Sequence, residues 1–202
     1  MCNFYRIDQK PGKDQRVRVR IAEATGKLAS LLMRKSYPGV VMLADGRVEV
    51  MRWGFHRSFN PAINNARSDK LDSGMWVEAL CHERRCVIPV SAFYEWGPAA
   101  GGGKQAHEFS DPDDDWLWIA GLWEPGGDLG PCYTMVTTAA SPVMAPIHDR
   151  MPAVLRADEV EGYVNNQRDP WTFQPFTGLL AVTSCASPLT KPKDGGGQGE
   201  LF

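Results

Sequence analysis

Long hydrophobic runs are missing from this sequence of 202 residues. The longest apolar stretches, such as Gly39–Ala44, are strand-sized, whereas a helix that spans a bilayer needs about 20 apolar residues. The first residues, Met-Cys-Asn-Phe-Tyr-Arg, contain no basic region followed by an apolar stretch, so no signal peptide is visible. We therefore expect a cytoplasmic protein that makes no membrane contact.

Paired cysteines are missing as well. The five cysteines are an odd and widely scattered set without a CxxC pair, and the four histidines show no ligand spacing relative to them. A disulfide framework and a metal site are both unexpected, and no cofactor is predicted. The formal net charge of −2 does not suggest a general polyanion binder, so any nucleic-acid contact has to come from a local basic groove.

The residues that are present indicate one globular domain. Hydrophobic residues make up 43% and charged residues 23% of the chain, near the average for soluble proteins. The hydrophobic pattern predicts helices at Arg20–Arg34, Asp69–Leu80 and Asp158–Asn166. A hairpin turn is predicted at Asp45-Gly46. Strands are predicted at Gly39–Ala44, Arg47–Trp53, Cys86–Trp96, Trp116–Trp123, Tyr133–Thr138, Met151–Leu155 and Gly178–Ser184. This order predicts a mainly antiparallel α+β domain over residues 1–194, without internal division.

A flexible tail is expected over residues 195–202. Its Gln198–Phe202 segment has the Gln-x-x-Leu-Phe spacing of short peptides that dock on bacterial sliding clamps. The alternative is that Leu201 and Phe202 pack against the domain. Deletion of the last three residues separates the two interpretations, because only packing stabilises the fold.

Cys2 is the first candidate for chemistry. Removal of the initiator methionine would leave an α-amine and a thiol on one residue, with ordinary pKa values of about 8 and about 8.5. Such a 1,2-aminothiol attacks an aldehyde twice, first as an amine that forms a Schiff base and then as a thiol that closes a thiazolidine ring. The alternative is that a cysteine beside a frayed terminus has no function.

Three further segments carry polar residues in unusual settings. Asn64 to Arg67 reads Asn-Asn-Ala-Arg, although asparagines beside a proline are also ordinary loop residues. Glu95 lies in the aromatic run Phe-Tyr-Glu-Trp, where burial would raise the pKa of its carboxyl, or where strand alternation would turn it to solvent. His148 precedes Asp and Arg, which can fix its tautomer and charge, or it is a structural turn histidine.

These segments together resemble the SRAP family, the SOS response-associated peptidase domain. The resemblance rests on the order Met-Cys, Asn-Ala-Arg, Phe-Tyr-Glu-Trp and His-Asp-Arg-Met-Pro, and it covers the chain from Met1 to about Asp194. Connecting pieces such as Arg-Trp-Gly-Phe at 52–55 and Arg-Cys-Val-Ile-Pro at 85–89 fit as well. The resemblance implies a barrel-like, mainly antiparallel β-core with a few peripheral helices.

The resemblance also implies a role for each candidate. Cys2 would be the nucleophile that crosslinks to abasic sites in single-stranded DNA and shields the lesion. Asn65 would orient the terminus or the opened sugar, and Glu95 would transfer protons. His148 would act as acid or base, or would stabilise the departing sugar oxygen. The family name reflects a proposed peptidase activity, which removal of the chain's own leading residue would satisfy, and the resemblance further implies a lyase activity.

A groove for single-stranded DNA needs cations for phosphates and flat side chains for unstacked bases. The candidates beside the motifs are Arg52, Trp53, Arg67, Arg85 and Arg150, although core packing is the alternative for the aromatic residues. Many family members begin Met-Cys-Gly-Arg-Phe, so their terminal arginine has no direct match in this chain.

Three functions therefore compete. The first is covalent capture of abasic DNA by a monomer, the second is a cysteine-dependent peptidase or thiol hydrolase, and the third is a non-covalent DNA-binding module.

Overall fold

The computed structural model describes residues 2–8, 15–72, 74–81, 83–113, 115–167 and 173–189. Three α-helices lie within these ranges: α1 (Gln15–Thr25), α2 (Gly74–Cys81) and α3 (Ala157–Val164). The strands of the described residues are β1 (Phe4–Arg6), β2 (Leu32–Arg34), β3 (Pro38–Met42), β4 (Val48–Trp53), β5 (Phe55–Arg57), β6 (Asn60–Ile63), β7 (Asn65–Arg67), β8 (Arg85–Val90), β9 (Ala92–Pro98), β10 (Lys104–Ser110), β11 (Leu117–Glu124), β12 (Cys132–Ala139), β13 (Arg150–Pro152), β14 (Val154–Leu155) and β15 (Ala181–Cys185). None of these helices is long and apolar enough to cross a membrane.

Five strands close into a barrel in the order β3, β8, β11, β12 and β4. All pairings around the ring are antiparallel except β12 with β4, which run parallel where Cys132 and Tyr133 face Arg52 and Trp53. Strand β12 also pairs with β13 and, in parallel, with β7. The predicted α+β fold with a barrel-like, mainly antiparallel core and peripheral helices is confirmed.

Three of the barrel strands, β3, β8 and β12, are buried on both faces, which explains their largely apolar sequences. Every residue of β8 is buried, and successive side chains of this strand belong to two different hydrophobic clusters. Ile88 belongs to the cluster that joins the barrel to β1, β9 and β10, whereas Val87 belongs to the cluster beneath α2 and α3. Met135 and Val136 on β12 divide in the same way.

A second sheet holds the beginning of the chain. Its strand order is β15, β10, β9, β1 and β2, so the three-residue β1 is paired on both sides. Phe4 lies opposite Arg34 of β2 and Tyr94 of β9. Tyr5 and Ile7 are fully buried and anchor this segment in the core. The first residues are thereby held against the strand that carries Glu95.

Two predicted elements change identity. The helix predicted over Arg20–Arg34 occupies Gln15–Thr25, and its expected second half contains β2. Pairing of Leu32 with Arg6 and burial of Met33 outweigh the helical spacing of the leucines. The strand predicted over Cys86–Trp96 is two strands, because the chain passes from the barrel to the second sheet at Ser91, whose backbone N–H donates to Arg6 O at 2.8 Å.

Smaller corrections concern the end of the barrel. The strand predicted over Met151–Leu155 is split at Ala153 into β13, which pairs with β12, and β14, which pairs with β11.

The hairpin at Asp45-Gly46 is confirmed, and Gly46 has the positive φ of 74° that such turns require. The predicted flexible tail, 195–202, and with it Gln198–Phe202, lies outside the described residues.

Gly39 is required by the aromatic packing inside the barrel. The hydroxyls of Tyr5 and Tyr133 share a hydrogen bond, and both rings pack on Trp53 with centroids 5.0 and 6.3 Å away. A Cβ at residue 39 would overlap both hydroxyl oxygens. Since these side chains are fully buried, they have no space into which to retreat.

We therefore expect Gly39→Ala to destabilise the protein by about 1–3 kcal/mol, the usual range for overpacking. In a protein of this size each kcal/mol lowers Tm by roughly 2–4 °C, which thermal unfolding measures. Gly101→Ala is the matched control, because a Cβ at residue 101 meets no atom within 4 Å. Equal Tm values for the two variants would contradict this account of the core.

Candidate active site

Cys2 lies two residues before the start of β1 and is 1% exposed. Its Sγ donates a hydrogen bond to the backbone oxygen of Phe4 at 3.3 Å. Burial raises the pKa of the thiol far above its ordinary value, and the nearby negative charge of Glu95 adds to the effect. The thiol is therefore neutral at physiological pH, and chemistry that requires a resident thiolate is disfavoured.

Asn65 connects Cys2 to the barrel. It begins β7, which pairs in parallel with β12 where Met135 faces Asn65. Its Nδ2 donates to the backbone oxygen of Cys2 at 2.8 Å. Its Oδ1 is buried and has no hydrogen-bond partner among the described residues. A buried amide oxygen of this kind is an acceptor available to an incoming N–H or O–H group.

Asn64 makes a second contact with the same segment. Its Nδ2 lies 3.3 Å from the backbone oxygen of Cys2 and 3.1 Å from Oδ1 of Asn3. The sequence prediction selected only Asn65 from the asparagine pair. Strand alternation would send consecutive side chains to opposite faces, but Asn64 precedes β7, so both amides reach Cys2. The only sequence feature that could have indicated a role for Asn64 is its position next to Asn65.

Glu95 is 4% exposed on β9, a strand that pairs with β1 on one side and β10 on the other. Of the two orientations left open by the sequence, the solvent-facing edge position does not hold. Burial raises the pKa of the carboxyl, and nearby positive charge, including that of His148, offsets part of the rise. Glu95 therefore keeps its proton to a higher pH than an ordinary glutamate does.

His148 lies in the turn that precedes β13. Its Nδ1 is 2.9 Å from the backbone N of Arg150 and 2.9 Å from Oδ1 of Asp149. A neutral ring accepts a hydrogen bond from the first group, and a protonated ring pairs with the second. The imidazole thus has a partner in either charge state, as an acid–base residue needs.

The turn packs directly on β9. A Cβ on Gly97 would lie 3.2 Å from Cα of Ile147, the neighbour of His148. This close backbone approach brings the histidine within electrostatic range of Glu95. Cys2, Asn65, Glu95 and His148 therefore come together from four separate parts of the chain.

Two of the predicted DNA contacts lie beside these residues. Arg67 follows Asn65 by two positions, and its side chain is 44% exposed. It binds Asp69 through two hydrogen bonds of 3.1 and 2.7 Å. Arg150 is mostly buried, donates to Thr137 O at 2.6 Å, and lies 3.2 Å from the same Asp69 carboxylate. The hydrogen bonds from Arg67 and the charge of Arg150 hold the pKa of Asp69 at about 2.

The other predicted contacts are placed differently. Arg52 is partly exposed and donates to the backbone oxygens of Gly54 and Pro61 at 2.8 and 3.0 Å. Trp53 is fully buried in the aromatic core. Arg85 is 6% exposed and lies over the ring of Tyr163, 5.4 Å from its centroid. Trp53 and Arg85 thus offer no face to a DNA strand, because proximity to a motif in sequence does not imply exposure.

The fold and the site define a class: an α+β barrel protein with a buried cysteine thiol beside an amide, a carboxyl and an imidazole. The model of one family, described as SOS response associated peptidase (SRAP), matches residues 4–184. The chain therefore belongs to the SRAP family. The match includes Asn65, Glu95 and His148, whereas Cys2 lies just before its first residue.

Several curated proteins are similar to this chain. The abasic site processing protein HMCES of Gallus gallus is 36% identical over 142 residues, which are 54% of this chain and 42% of that protein. The abasic site processing protein YMR114C of Saccharomyces cerevisiae is 23% identical over 190 residues, 86% of this chain and 49% of that protein. YoqW of Bacillus subtilis, with the same description, is 27% identical over 60% of this chain and 59% of its own length. The chain thus spans about half the length of these relatives.

Solved structures share the fold. A protein from Bacteroides thetaiotaomicron has a TM-score of 0.74 at 18% identity and covers 92% of this chain and 93% of its own. A protein from Bordetella bronchiseptica has a TM-score of 0.69 at 23% identity, with 92% and 100% covered. At these identities the likeness concerns the fold alone.

The raised pKa of Glu95 predicts how its replacement changes stability with pH. A carboxyl whose pKa is raised by folding contributes stability below its unfolded pKa, and that contribution is lost as the pH rises through the folded pKa. Glu95→Gln does not titrate, so its Tm relative to the unsubstituted protein should rise as the pH increases above about 4.3, the ordinary pKa of glutamate. Thermal unfolding at a series of pH values measures the difference.

Glu161→Gln, on α3 away from Cys2, controls for the loss of one carboxylate. A Tm difference for Glu95→Gln that falls with rising pH would show that the carboxylate, and not the acid, is the form stabilised by folding.

Proposed function

We propose that this protein captures abasic sites in single-stranded DNA by forming a thiazolidine between Cys2 and the aldehyde of the opened sugar. The observation that carries the proposal is the convergence of Cys2 with Asn65, Glu95 and His148. The relatives described as abasic site processing proteins supply the substrate class. A stable adduct would shield the lesion from further breakage.

The reaction requires a free amine on Cys2, so Met1 must first be removed by hydrolysis of the peptide bond between residues 1 and 2. The amine then adds to the aldehyde carbon, and loss of water from the carbinolamine gives a Schiff base. The thiol adds to the imine carbon, which forms the C–S bond and returns the amine to a secondary state. The balance is one aminothiol and one aldehyde converted into one thiazolidine and one water.

Glu95 can serve both proton transfers in this sequence. In its protonated form, which burial favours, it donates to the hydroxyl that leaves as water. The resulting carboxylate then accepts the proton that Sγ loses as the ring closes. A neutral thiol is compatible with this route, because its proton leaves only when the imine carbon is in place.

His148 and Asn65 have complementary tasks. The imidazole, which has a partner in either charge state, can protonate the sugar oxygen during ring opening. The amide of Asn65 holds the Cys2 carbonyl through Nδ2, and its buried Oδ1 can accept a hydrogen bond from the new α-amine.

Peptidase activity beyond removal of Met1 is disfavoured by the high pKa of the thiol.

Replacement of Cys2 tests the proposal directly. Cys2→Ala retains an amine and should form at most an imine, which is reversible and trapped by borohydride. Cys2→Ser should behave in the same way, since its hydroxyl is a poorer nucleophile. Intact-mass spectrometry after incubation with an abasic oligonucleotide should show a heat-stable adduct only for the unsubstituted protein.

A heat-stable adduct of Cys2→Ala without reductant would eliminate the thiazolidine. Turnover of added peptides without any DNA adduct would instead favour the thiol hydrolase, and non-covalent retention alone would favour a simple DNA-binding module. A purified protein that keeps an N-terminal extension should form no adduct.

DNA contact is assigned to the exposed cations around the site. Arg67 lies beside Asn65, but its guanidinium is shared with Asp69, so a phosphate has to compete with a carboxylate. Single strands should be favoured over duplexes, because a flexible backbone can bend its aldehyde toward a buried thiol.

We expect Arg67→Ala to weaken binding and to reduce the slope of log affinity against log salt by about 0.7, the value for one phosphate contact in a single strand. Asp69→Asn should tighten binding, because it releases Arg67 and Arg150 from a shared anion. Fluorescence anisotropy over a range of salt concentrations measures both effects. Arg156→Ala, at the N-terminal cap of α3, is the control, and an equal loss of affinity there would argue against a local groove.

A further inference from the structure

The backbone carbonyl of Cys2 is held by two side-chain amides. Asn65 donates to it at 2.8 Å and Asn64 at 3.3 Å. Asn64 also donates to Oδ1 of Asn3 at 3.1 Å, so its single Nδ2 group connects to both residue 2 and residue 3. We refer to the contacts among Asn64, Asn3 and the Cys2 carbonyl as the asparagine clamp.

The main chain of the clamp residue Asn64 is hydrogen-bonded to residues of the hydrophobic core. The backbone oxygen of Asn64 accepts hydrogen bonds from Nε1 of Trp53 at 2.9 Å and from the backbone N of Met135 at 3.1 Å. Trp53 is fully buried and stacks on Tyr133. The main chain of Asn64 is therefore fixed by an indole and by β12, while its side chain extends to the first residues of the chain.

A fixed carbonyl restricts the residue that carries the chemistry. Chain termini ordinarily fray, and a frayed residue 2 would present its amine and thiol in many orientations. A misplacement of about 1 Å can slow an oriented reaction by about 100-fold. With its carbonyl held by two amides, the peptide group that follows Cys2 is fixed, and the Cα that carries both the amine and the thiol is anchored at one position.

We infer that Asn64 is a positioning residue for aldehyde capture and that it acts through Asn3 and the carbonyl of Cys2. The inference rests on the proposed function of Cys2. Asn64 differs from Asn65 in kind: both donor contacts of its amide go to residues 2 and 3, whereas Asn65 keeps a buried Oδ1 for a reacting group. Loss of Asn64 should therefore slow the chemical step and leave DNA affinity unchanged.

The kinetic test compares Asn64→Ala, Asn3→Ala and the double variant by single-turnover crosslinking to an abasic oligonucleotide. At saturating DNA the rate constant of Asn64→Ala should fall about 3- to 10-fold, the factor expected for the loss of one hydrogen bond. The half-saturating DNA concentration should change less than about twofold. Because Asn3 and Asn64 share one contact, the double variant should be no slower than Asn64→Ala. Asn165→Ala, at the end of α3, is the matched control.

A spectroscopic readout separates positioning from general stability. Cys2-Asn3 is the only Cys-Asn sequence in the chain. Protein labelled with 13C at the cysteine carbonyl and 15N at asparagine therefore gives one carbonyl-correlated amide signal. Asn64→Ala should shift this signal, while Tm stays within about 2 °C of the unsubstituted value, as expected for a change of less than about 1 kcal/mol.

An unchanged rate constant at saturating DNA, with the unsubstituted protein active, would overturn the inference. So would a rate loss that tracks a fall in Tm, or an unshifted carbonyl signal. If the unsubstituted protein forms no adduct, the proposed function fails, and the carbonyl signal alone then decides whether the clamp exists.

Discussion

The two-sided pairing of β1 is the constraint on which the site depends. A three-residue strand at the start of a chain would ordinarily fray, but here β2 and β9 pair with it and Tyr5 and Ile7 are fully buried. The pairing register places the residues before Phe4 alongside Glu95 and Trp96. The cysteine is thereby fixed by the sheet, and the amides of Asn64 and Asn65 add a second attachment from β7. Without β1 in place, the other site residues would surround an empty position.

Burial then decides which chemistry this arrangement supports. A thiol and a carboxyl share a poorly solvated space, where desolvation raises the pKa of both groups and the charge of Glu95 raises the pKa of the Cys2 thiol further. Both groups are therefore stabilised in their neutral forms. A thiolate-dependent hydrolase would need the opposite electrostatics, with a cation beside the sulfur. An acid that can release and recover a proton beside a neutral thiol suits imine formation followed by ring closure.

The sequence predicts the strands that are buried on both faces, because they are long apolar runs. It does not predict the short strands, which form only through pairing with distant parts of the chain. Strands β8, β11 and β12 follow from their apolar runs, and the four site motifs follow from their residue types and order. Strands β1, β2 and β7 have three residues each, too few to show a period, and only tertiary pairing defines them. The orientation of Glu95 could not be decided from β9 alone, because residues on both faces of this strand are buried and its apolar run shows no alternation that marks a solvent face. Trp53 and Arg85 adjoin motifs in sequence but point into the core, since alternation separates neighbours along a strand.

The charges around the site indicate how a protein of net charge −2 could act on DNA. Arg67 and Arg150 both contact Asp69, so the cations nearest the site are already partly neutralised. A phosphate gains little by displacing a carboxylate from an exposed guanidinium, because such ion pairs contribute only about 0–1 kcal/mol. We accordingly expect weak attraction to undamaged strands. Selectivity in the proposed reaction would then come from the covalent step, since only an aldehyde can react with the amine and the thiol of one residue.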